Sequence, residues 1–282
     1  MNIVLLNKKS RNSTVIKFKN DVPYISYKAM DEIPWLTHGF STRLGGVSQG
    51  VLSSMNLGFG RGDLEENVVN NHKIIANAIG FESKNIVCSK QTHTTNVAVV
   101  GKEFKGNGIY KENCFTDIDG MITNEKNVVL ATYFADCVPL YMVDVKNKAI
   151  GLAHSGWRGT VGKIGACTLK KMKENYGTDS KDVIACIGPS ICMSCYEISE
   201  DVANEFKMAF PDNIDNILLN KGNGKYMLDL WECNRIVFRG CGVLEENIHL
   251  PDICTCCNDK MLFSHRATNG KRGNLAAFLE IK

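Results

Sequence analysis

The chain has 282 residues, 44% hydrophobic and 22% charged, which is typical of a globular protein with a sizeable core. Its formal net charge of +3 is too small, and its basic residues too scattered, to predict nucleic-acid binding. No apolar run approaches membrane-spanning length, and Met1–Lys9 does not resemble a secretory signal. We therefore expect a cytoplasmic protein that binds neither nucleic acid nor membrane, and no protein partner is indicated.

Twelve cysteines are many, but without an export signal we expect them to be mostly reduced. Two Cys-x-x-Cys pairs, Cys192/Cys195 and Cys254/Cys257, have the internal spacing of a zinc knuckle. The gap between the pairs is far longer than the usual zinc-ribbon interval. The sequence therefore favours buried or redox-idle thiols, with a second metal site or disulfides as the alternatives.

The first part of the chain predicts strands, a loop and a helix. Thr14–Tyr27 is typical of two short strands about a turn, and a strand at His38 enters a glycine-rich loop. Asp63 and Glu66 form a predicted capping box. The helix that follows has an inward face and ends at Gly80; the members of that face are Leu64, Val68, His72, Ile75 and Ile79. His72 is expected to be packed there rather than to bind a ligand.

The middle of the chain predicts a series of short strands. His93 lies in a break between two of them, where a side chain can point into a cleft. Val138–Val143 and Ala149–Ala153 flank a polar turn, which predicts a hairpin that brings Cys137 close to His154. The other predicted strands of this region are Asn85–Ser89, Asn96–Val100, Asp117–Thr123 and Val128–Phe134.

The last part predicts three helices and two strands. Helices are expected from Thr160 to Tyr176, from Ser199 to Phe210, and after a capping box of Asp229 and Glu232; the strands are Val183–Ile187 and Leu275–Ile281. The predicted hairpins argue against a purely parallel sheet. The fold class expected is α+β, one domain over 1–282 with mixed β-sheets and flanking helices of the layered α/β/β/α type, in which 1–37 is an N-terminal β extension.

The residues from Asp136 to Thr160 carry the densest chemistry. Cys137 and His154 could act as nucleophile and base, or as two ligands of one metal ion. With His93 they would give zinc three protein ligands and an open fourth position. The glycine-rich turn before Thr160 could hold an anion at a helix N-terminus. From these residues alone a zinc site and a Cys–His hydrolase are equally favoured, with Arg43, Arg61, Arg158 and Arg266 as candidate anion binders.

A set of motifs spread over the chain carries a family resemblance. In order they are Gly39-Phe-Ser-Thr-Arg-Leu-Gly-Gly-Val-Ser48, Asn56-Leu-Gly58, Gln91-Thr-His93, Asp117-x-Asp-Gly120, Ala135-Asp-Cys-Val-Pro-Leu140, Ala153-His-Ser-Gly-Trp-Arg-Gly-Thr160, Ile187-Gly-Pro189, Cys195-Tyr-Glu197 and Phe263-Ser-His-Arg266. Together they resemble the laccase-domain family, also called multicopper polyphenol oxidoreductase or peptidoglycan editing factor. Members are described as zinc-dependent purine nucleoside phosphorylases.

The resemblance implies both an activity and a site. The activity is phosphorolysis of adenosine, inosine, guanosine and methylthioadenosine, with adenosine deamination. One catalytic zinc ion would be held by His93, Cys137 and His154, and Arg43 would join them in catalysis. The residues expected to bind nucleoside or phosphate are Arg43, Arg61, Asn56, Gln91, Arg158 and Arg266. Asp136 is a candidate partner of the metal ligands, or else a cap for backbone N–H groups.

The chain departs from the family pattern, and other functions compete. Thr94 stands where many members have glycine after the histidine, and Ala267 and Asn274 stand where the tail often has arginines. The six histidines include no His-x-His motif, so a copper oxidase is rejected and copper is expected only as an adventitious occupant. The stronger rival is a Cys/His amidohydrolase that edits a UDP-muramoyl peptidoglycan precursor. A non-enzymatic binding module is the third reading.

Overall fold

A computed structural model describes residues 13–282, so the expectation for Met1–Lys9 falls outside the described residues. The strands of this region are β1 (Thr14–Lys19), β2 (Val22–Tyr27), β3 (Leu36–Ser41), β4 (Ile86–Cys88), β5 (Val97–Val99), β6 (Gly120–Thr123), β7 (Val129–Phe134), β8 (Val138–Asp144), β9 (Ala149–Ser155), β10 (Val183–Ile187), β11 (Glu197–Ser199), β12 (Leu218–Gly222), β13 (Lys225–Leu228), β14 (Ile248–His249) and β15 (Leu275–Ile281). The α-helices are α1 (Lys28–Asp31), α2 (Glu65–Ile79), α3 (Trp157–Val161), α4 (Ile164–Tyr176), α5 (Glu200–Ala209), α6 (Ile214–Ile217), α7 (Leu230–Gly240) and α8 (His265–Thr268).

Two six-stranded sheets form the body of the fold. The first has the order β1-β2-β3-β15-β7-β4, antiparallel except where β4 joins β7. The second has the order β14-β10-β8-β9-β6-β5, with parallel pairs at both edges. The C-terminal strand β15 lies inside the first sheet, between β3 and β7. The predicted mixed sheets are thus confirmed.

The two sheets pack face to face, with helices on their outer faces. Residues of both sheets, such as Leu130 and Leu279 of the first and Tyr141 and Leu152 of the second, share one buried cluster between them. Helix α2 covers the outside of the first sheet. Helices α4 and α7 cover the outside of the second. The order of layers is therefore α/β/β/α, as predicted, whereas the assignment of 1–282 to one domain stays a prediction.

A third sheet, β11-β13-β12, is not among the predicted elements. Its strands are short and largely exposed on one side, so they lack the apolar alternation by which a strand is recognised in sequence. No helix within residues 13–282 combines the length and the apolar character needed to cross a membrane.

The predicted hairpin is confirmed by strands β8 and β9. Their register pairs Pro139 with His154 and Val138 with Ser155. Because Cys137 directly precedes β8, this register places its side chain beside the end of β9. The hairpin therefore brings the predicted thiol and imidazole together.

Two helix starts differ from the predictions. Helix α3 begins at Trp157, and Thr160 lies inside it, donating its hydroxyl hydrogen bond back to the Gly156 carbonyl oxygen at 2.9 Å. The helical conformation is interrupted at Lys163, which has a φ of 58°, before α4 starts. Helix α2 begins at Glu65 with Leu64, 71% exposed, at the N-cap, so Leu64 does not belong to the buried face.

The two Cys-x-x-Cys pairs lie together in the fold, although the long interval between them in sequence does not favour a shared site. Strands β10 and β14 run parallel, and the pairing continues at the bridge between Ser190 and Cys254. Parallel neighbours end at the same edge of a sheet, so the loops that follow them are adjacent. The long interval between the pairs is taken up by β11–β14 and α5–α7.

His72 is buried as predicted and makes stability depend on pH. Burial lowers the pKa of its imidazole from 6.5 to about 4. The unfolded chain therefore binds a proton at a pH where the folded chain does not, and stability is lost as pH falls from 6.5 towards 4. We expect this group to lower the free energy of unfolding by about 2 kcal/mol between roughly pH 7.5 and pH 5.

Denaturant titrations at the two pH values, with His72→Gln as the comparison, check this expectation. The variant cannot titrate, so its loss of stability on acidification should be smaller than that of the parent by about this amount. Equal losses for parent and variant would contradict the assigned role of His72.

Candidate metal centre

The loop that carries His93 is shaped by the carboxylate of Asp119. That carboxylate accepts hydrogen bonds from three successive backbone N–H groups, those of Thr92 (3.1 Å), His93 (3.1 Å) and Thr94 (2.8 Å). His93 has a φ of 66°, a left-handed conformation that curls the loop so that these N–H groups converge. The Thr94 hydroxyl adds a further bond at 3.0 Å, so this departure from the family glycine contributes to the same contact.

Asp119 also orients His154. The Nδ1 atom of His154 lies 2.8 Å from Oδ1 of Asp119, and the His154 backbone N–H donates to the Asp119 carbonyl oxygen at 2.7 Å. With Nδ1 bound to the carboxylate, Nε2 is left as the free nitrogen, which is the usual arrangement for a metal-binding histidine. In the sequence Asp119 is only one residue of a motif. Its contacts with the His93 loop and with His154 identify it as the residue that positions both histidines.

His93, Cys137 and His154 converge on one point. One potential ligand atom from each lies within 4.8 Å of the others, with 4.0 Å between Sγ of Cys137 and Nε2 of His93. The two imidazole rings meet edge to face, with centroids 4.9 Å apart. His154 is buried and His93 is exposed, so the group is open on one side. Two nitrogens and a sulfur at this spacing are consistent with a metal ion that keeps a free position.

Charges within the centre oppose the cost of burial. Burial disfavours the thiolate, but the neighbouring charge and hydrogen bond of His154 lower the pKa of Cys137 to about 6. Burial likewise opposes the imidazolium, but the Cys137 thiolate and the Asp119 carboxylate raise the pKa of His154 to about 9. Hydrogen bonds from His154 and Thr94 keep the pKa of Asp119 at about 2 despite its burial. The centre therefore stabilises the anionic sulfur that a metal requires.

Gly156 leaves the space in which the ligands meet. A Cβ at this position would lie 2.7 Å from Cδ2 of His93 and 3.2 Å from Sγ of Cys137. We therefore expect Gly156→Ala to push the ligands apart and weaken metal binding at least roughly tenfold, since misplaced ligands bind metals poorly. Competition with a metallochromic chelator measures the change.

Gly159→Ala is the matched control for this substitution. A Cβ at Gly159 meets no atom closer than 3.4 Å, and the residue lies in the same turn of helix. We expect the control to bind metal like the parent. Unchanged affinity in Gly156→Ala would show that the ligands do not need this space.

A cleft of about 410 Å³ opens beside the three ligands. This volume falls in the usual range of small-molecule sites, roughly 300–1,000 Å³. His93, Cys137 and His154 all line it. Its walls also include aromatic and polar side chains; among them are Phe59, Tyr133, Ser89, Lys90, Gln91 and Asn113.

Two arginines, Arg61 and Arg272, line the cleft. Burial and the nearby charge of Arg61 lower the pKa of Arg272 to about 10, while the charges of Asp136 and Cys137 act in the opposite direction. The Nε atom of Arg272 is buried without a hydrogen-bond partner. Two guanidinium groups that repel each other, one with an unused donor, indicate a place for an anion. Arg61 was predicted, whereas the sequence pattern does not single out Arg272.

Arg43 does not line the cleft. Its guanidinium donates from Nε to the Ser53 carbonyl oxygen and from Nη1 to that of Asp259, both at 2.9 Å. It also lies over the Phe263 ring, 4.5 Å from the centroid. Arg43 therefore joins two loops, and its guanidinium is largely occupied by these contacts.

The other predicted substrate residues divide between the cleft and its surroundings. Gln91 lines the cleft, with its amide bonded to the backbone of Tyr133. Asn56 is fully buried and bonds to Asp63 and neighbouring backbone groups. The Arg158 guanidinium lies over the Trp157 ring, 4.2 Å from its centroid. Neither Asn56 nor Arg158 lines the cleft.

Asp136 and Arg266 connect neighbouring loops through hydrogen bonds. The Asp136 carboxylate accepts the Thr255 hydroxyl and the Arg266 backbone N–H, each at 2.6 Å. The Arg266 guanidinium donates to the carbonyl oxygens of Cys195, at 3.3 Å, and Glu197, at 2.8 Å. Asp136 thus caps a backbone N–H and a hydroxyl group. The carboxylate that contacts the candidate ligand His154 is that of Asp119.

Known proteins are similar to this chain in sequence and in fold. "Purine nucleoside phosphorylase YlmD" of Bacillus subtilis (strain 168) is 36% identical over 245 residues, covering 86% of this chain and 88% of that protein. A "Purine nucleoside phosphorylase" of Bacteroides thetaiotaomicron is 32% identical over 268 residues, covering 95% and 99%. The crystal structure of YlmD from Geobacillus stearothermophilus superposes with a TM-score of 0.89 at 31% identity, covering 95% of this chain and 99% of that one.

A family model extends the similarity over most of the chain. The model described as "Multi-copper polyphenol oxidoreductase laccase" matches residues 37–282. This range includes all three converging ligands and both arginines of the cleft. The chain therefore belongs to the multi-copper polyphenol oxidoreductase laccase family, as the resemblance of its motifs predicts.

Proposed function

We propose that the protein is a zinc-dependent purine nucleoside phosphorylase that acts in the cytoplasm on small purine nucleosides and phosphate. The observation that carries the proposal is that three side chains able to bind a metal and two arginines surround one cleft. The names of relatives that are 32–36% identical support the same activity.

The ligand set suits zinc. Two imidazole nitrogens and a thiolate leave one position of a tetrahedron free, as in catalytic zinc sites. When bound, zinc would supply Lewis acidity at that open position. Asp119 would hold His154 in the required tautomer, and the left-handed turn at His93 would aim its imidazole at the same point.

The arginines suit the attacking phosphate. In phosphorolysis a phosphate oxygen forms a bond to the anomeric carbon of ribose while the carbon–nitrogen bond to the base breaks. Arg61 and Arg272 both line the cleft and can hold phosphate through charge-assisted hydrogen bonds. Bound phosphate would in turn offset the repulsion between the two guanidinium groups.

The remaining walls of the cleft suit a purine nucleoside. Phe59 and Tyr133 offer aromatic surface for a flat base, and Lys90 and Asn113 offer polar groups for its edge or for the ribose. Adenosine, inosine, guanosine and methylthioadenosine are the proposed substrates. Adenosine deamination is also proposed at this centre: water would attack C6 of the adenine ring instead of the anomeric carbon, and the amino group would leave as ammonia to give inosine.

One observation favours a second candidate function. The low pKa of Cys137 beside His154 is the arrangement of a thiol nucleophile with its base, which suits an amidohydrolase acting on a peptidoglycan precursor. Such an enzyme would keep its activity after chelation. A copper laccase is not favoured, because the six histidines of the chain contain no His-x-His motif.

Product analysis tests the proposal. Purified protein is incubated with adenosine or inosine, with and without phosphate, and the products are separated by chromatography. We expect adenine or hypoxanthine together with ribose 1-phosphate only when phosphate is present. Release of free ribose without any need for phosphate, or no release of base at all from zinc-loaded protein, would contradict it.

A further inference from the structure

A second group of side chains that could bind a metal ion consists of four cysteines, none of which belongs to the group beside the cleft. The Sγ atoms of Cys192, Cys195, Cys254 and Cys257 all lie within 4.8 Å of one another. Sγ of Cys257 is 4.0 Å from that of Cys192 and 3.4 Å from that of Cys195. All four are free thiols.

These separations match one tetrahedral ion. With zinc–sulfur bonds of about 2.3 Å, the four sulfurs of a tetrahedral site stand about 3.8 Å apart. An iron–sulfur cluster distributes its cysteines over several iron atoms, so their sulfurs stand farther from one another than around a single ion. The compact arrangement therefore favours a single metal ion over a cluster.

The backbone around Cys254 is arranged for a sulfur anion. The N–H groups of Cys192 and Cys257 point to Sγ of Cys254, at 3.2 Å and 3.4 Å. Cys254 is fully buried and Cys192 is 6% exposed. A buried thiolate is costly unless a cation is bound beside it, so the donors and the burial together indicate a metal.

We propose that these four cysteines bind one zinc ion, separate from the ion of the cleft and structural in role. All four coordination positions are filled by protein sulfur, which leaves none for a substrate. Each thiol gives up its proton as its sulfur binds, and the ion joins the loop after β10 to the loop after β14. Cys256 lies between two of the ligands but is not one of the four that converge.

The zinc-bound loops also hold the strand end that carries Cys137. Ile191, next to Cys192, donates its backbone N–H to the Asp136 carbonyl oxygen at 3.0 Å. Thr255, next to Cys254, donates its hydroxyl to the Asp136 carboxylate at 2.6 Å. Because Asp136 directly precedes Cys137, the four-cysteine site acts as a positioning element for the cleft.

Metal counting in a background that lacks the other site tests this proposal. In a His93→Ala/His154→Ala protein the centre beside the cleft cannot hold its ion, so we expect one zinc per chain to remain in elemental analysis. Adding Cys254→Ala and Cys257→Ala should remove it. Cys256→Ser, the matched control, should keep it. Retention of zinc without Cys254 and Cys257, or its loss in the control, would overturn the assignment.

A second measurement covers the case in which the cysteine variants do not fold. The His93→Ala/His154→Ala protein is loaded with cobalt in place of zinc. We expect the strong sulfur-to-metal charge-transfer absorption and the visible bands of tetrahedral cobalt bound to thiolates. Absence of these bands when one cobalt is bound would refute the site. Failure of the His93→Ala/His154→Ala protein to bind either metal would also refute it. Because neither readout uses enzymatic activity, failure of this proposal is distinct from failure of the proposed phosphorylase function.

Discussion

Cys137→Ala is expected to abolish both the metal of the cleft and phosphorolysis. The substitution removes the only sulfur among the three converging ligands and leaves His93 and His154 with too few partners to retain the ion. A catalytic metal contributes several kcal/mol to transition-state stabilisation, so kcat/KM should fall at least roughly 1,000-fold. Steady-state kinetics and elemental analysis on the same preparation measure the two effects.

Cys114→Ala is the control for loss of a thiol. Cys114 is exposed and belongs to neither group of converging ligands. The control should match the parent in metal content and in kcat/KM. If Cys137→Ala kept its metal, or lost its metal while remaining as active as the parent, the assignment of Cys137 as a ligand of a catalytic ion would be wrong.

Arg272→Gln is expected to weaken the use of phosphate. The substitution removes the charge of a guanidinium that lines the cleft and carries an unused buried donor. Loss of a charge-assisted contact costs about 1.5–3 kcal/mol, so kcat/KM for phosphate should fall roughly 10- to 100-fold. Initial rates measured over a range of phosphate concentrations test this result.

The phosphate-free reaction separates a role in phosphate binding from a general defect. The proposed deamination of adenosine uses water instead of phosphate, so Arg272→Gln should lower its rate much less than that of phosphorolysis. Arg239→Gln serves as a charge-matched control, because Arg239 is exposed on α7 and pairs with Glu245 outside the cleft. Equal losses of the two reactions in Arg272→Gln would argue against a phosphate site at this arginine.

The fold was largely predictable because its main elements are regular. β15, with every residue buried, and the β8–β9 hairpin have clear apolar patterns and turn signals. The third sheet escapes prediction because its short strands are half exposed and are paired by tertiary contacts. The helix after Gly156 starts before Thr160. The Thr160 hydroxyl donates a hydrogen bond to the Gly156 carbonyl oxygen, so this threonine is accommodated inside the helix instead of capping it.

The candidate metal ligands are easier to single out in the sequence than the candidate substrate-binding residues. Cysteine and histidine at the ends of two paired strands leave a signal in sequence, because the register of the hairpin places them together. An arginine leaves no such signal, since its long side chain reaches either a substrate or a backbone carbonyl. Arg43 makes the second kind of contact and does not line the cleft, whereas Arg272 lines the cleft and has a buried Nε without a partner.

The four cysteines show why spacing along the chain is a weak guide to spacing in the fold. The residues of β11–β14 and α5–α7 separate the two pairs, an interval far longer than the usual zinc-ribbon spacing. The parallel pairing of β10 with β14 nonetheless sets their loops side by side. Only knowledge of that strand order could have joined the two pairs in advance.

The most direct test of the central claim is a metal-dependence assay of phosphorolysis. The purified protein is assayed with inosine and phosphate as isolated, after removal of metal by chelation, and after stepwise addition of zinc. We expect activity to disappear on chelation and to return in proportion to zinc bound at His93, Cys137 and His154. Full phosphorolysis by metal-free protein, or no phosphorolysis of any purine nucleoside by zinc-loaded protein, would contradict the claim.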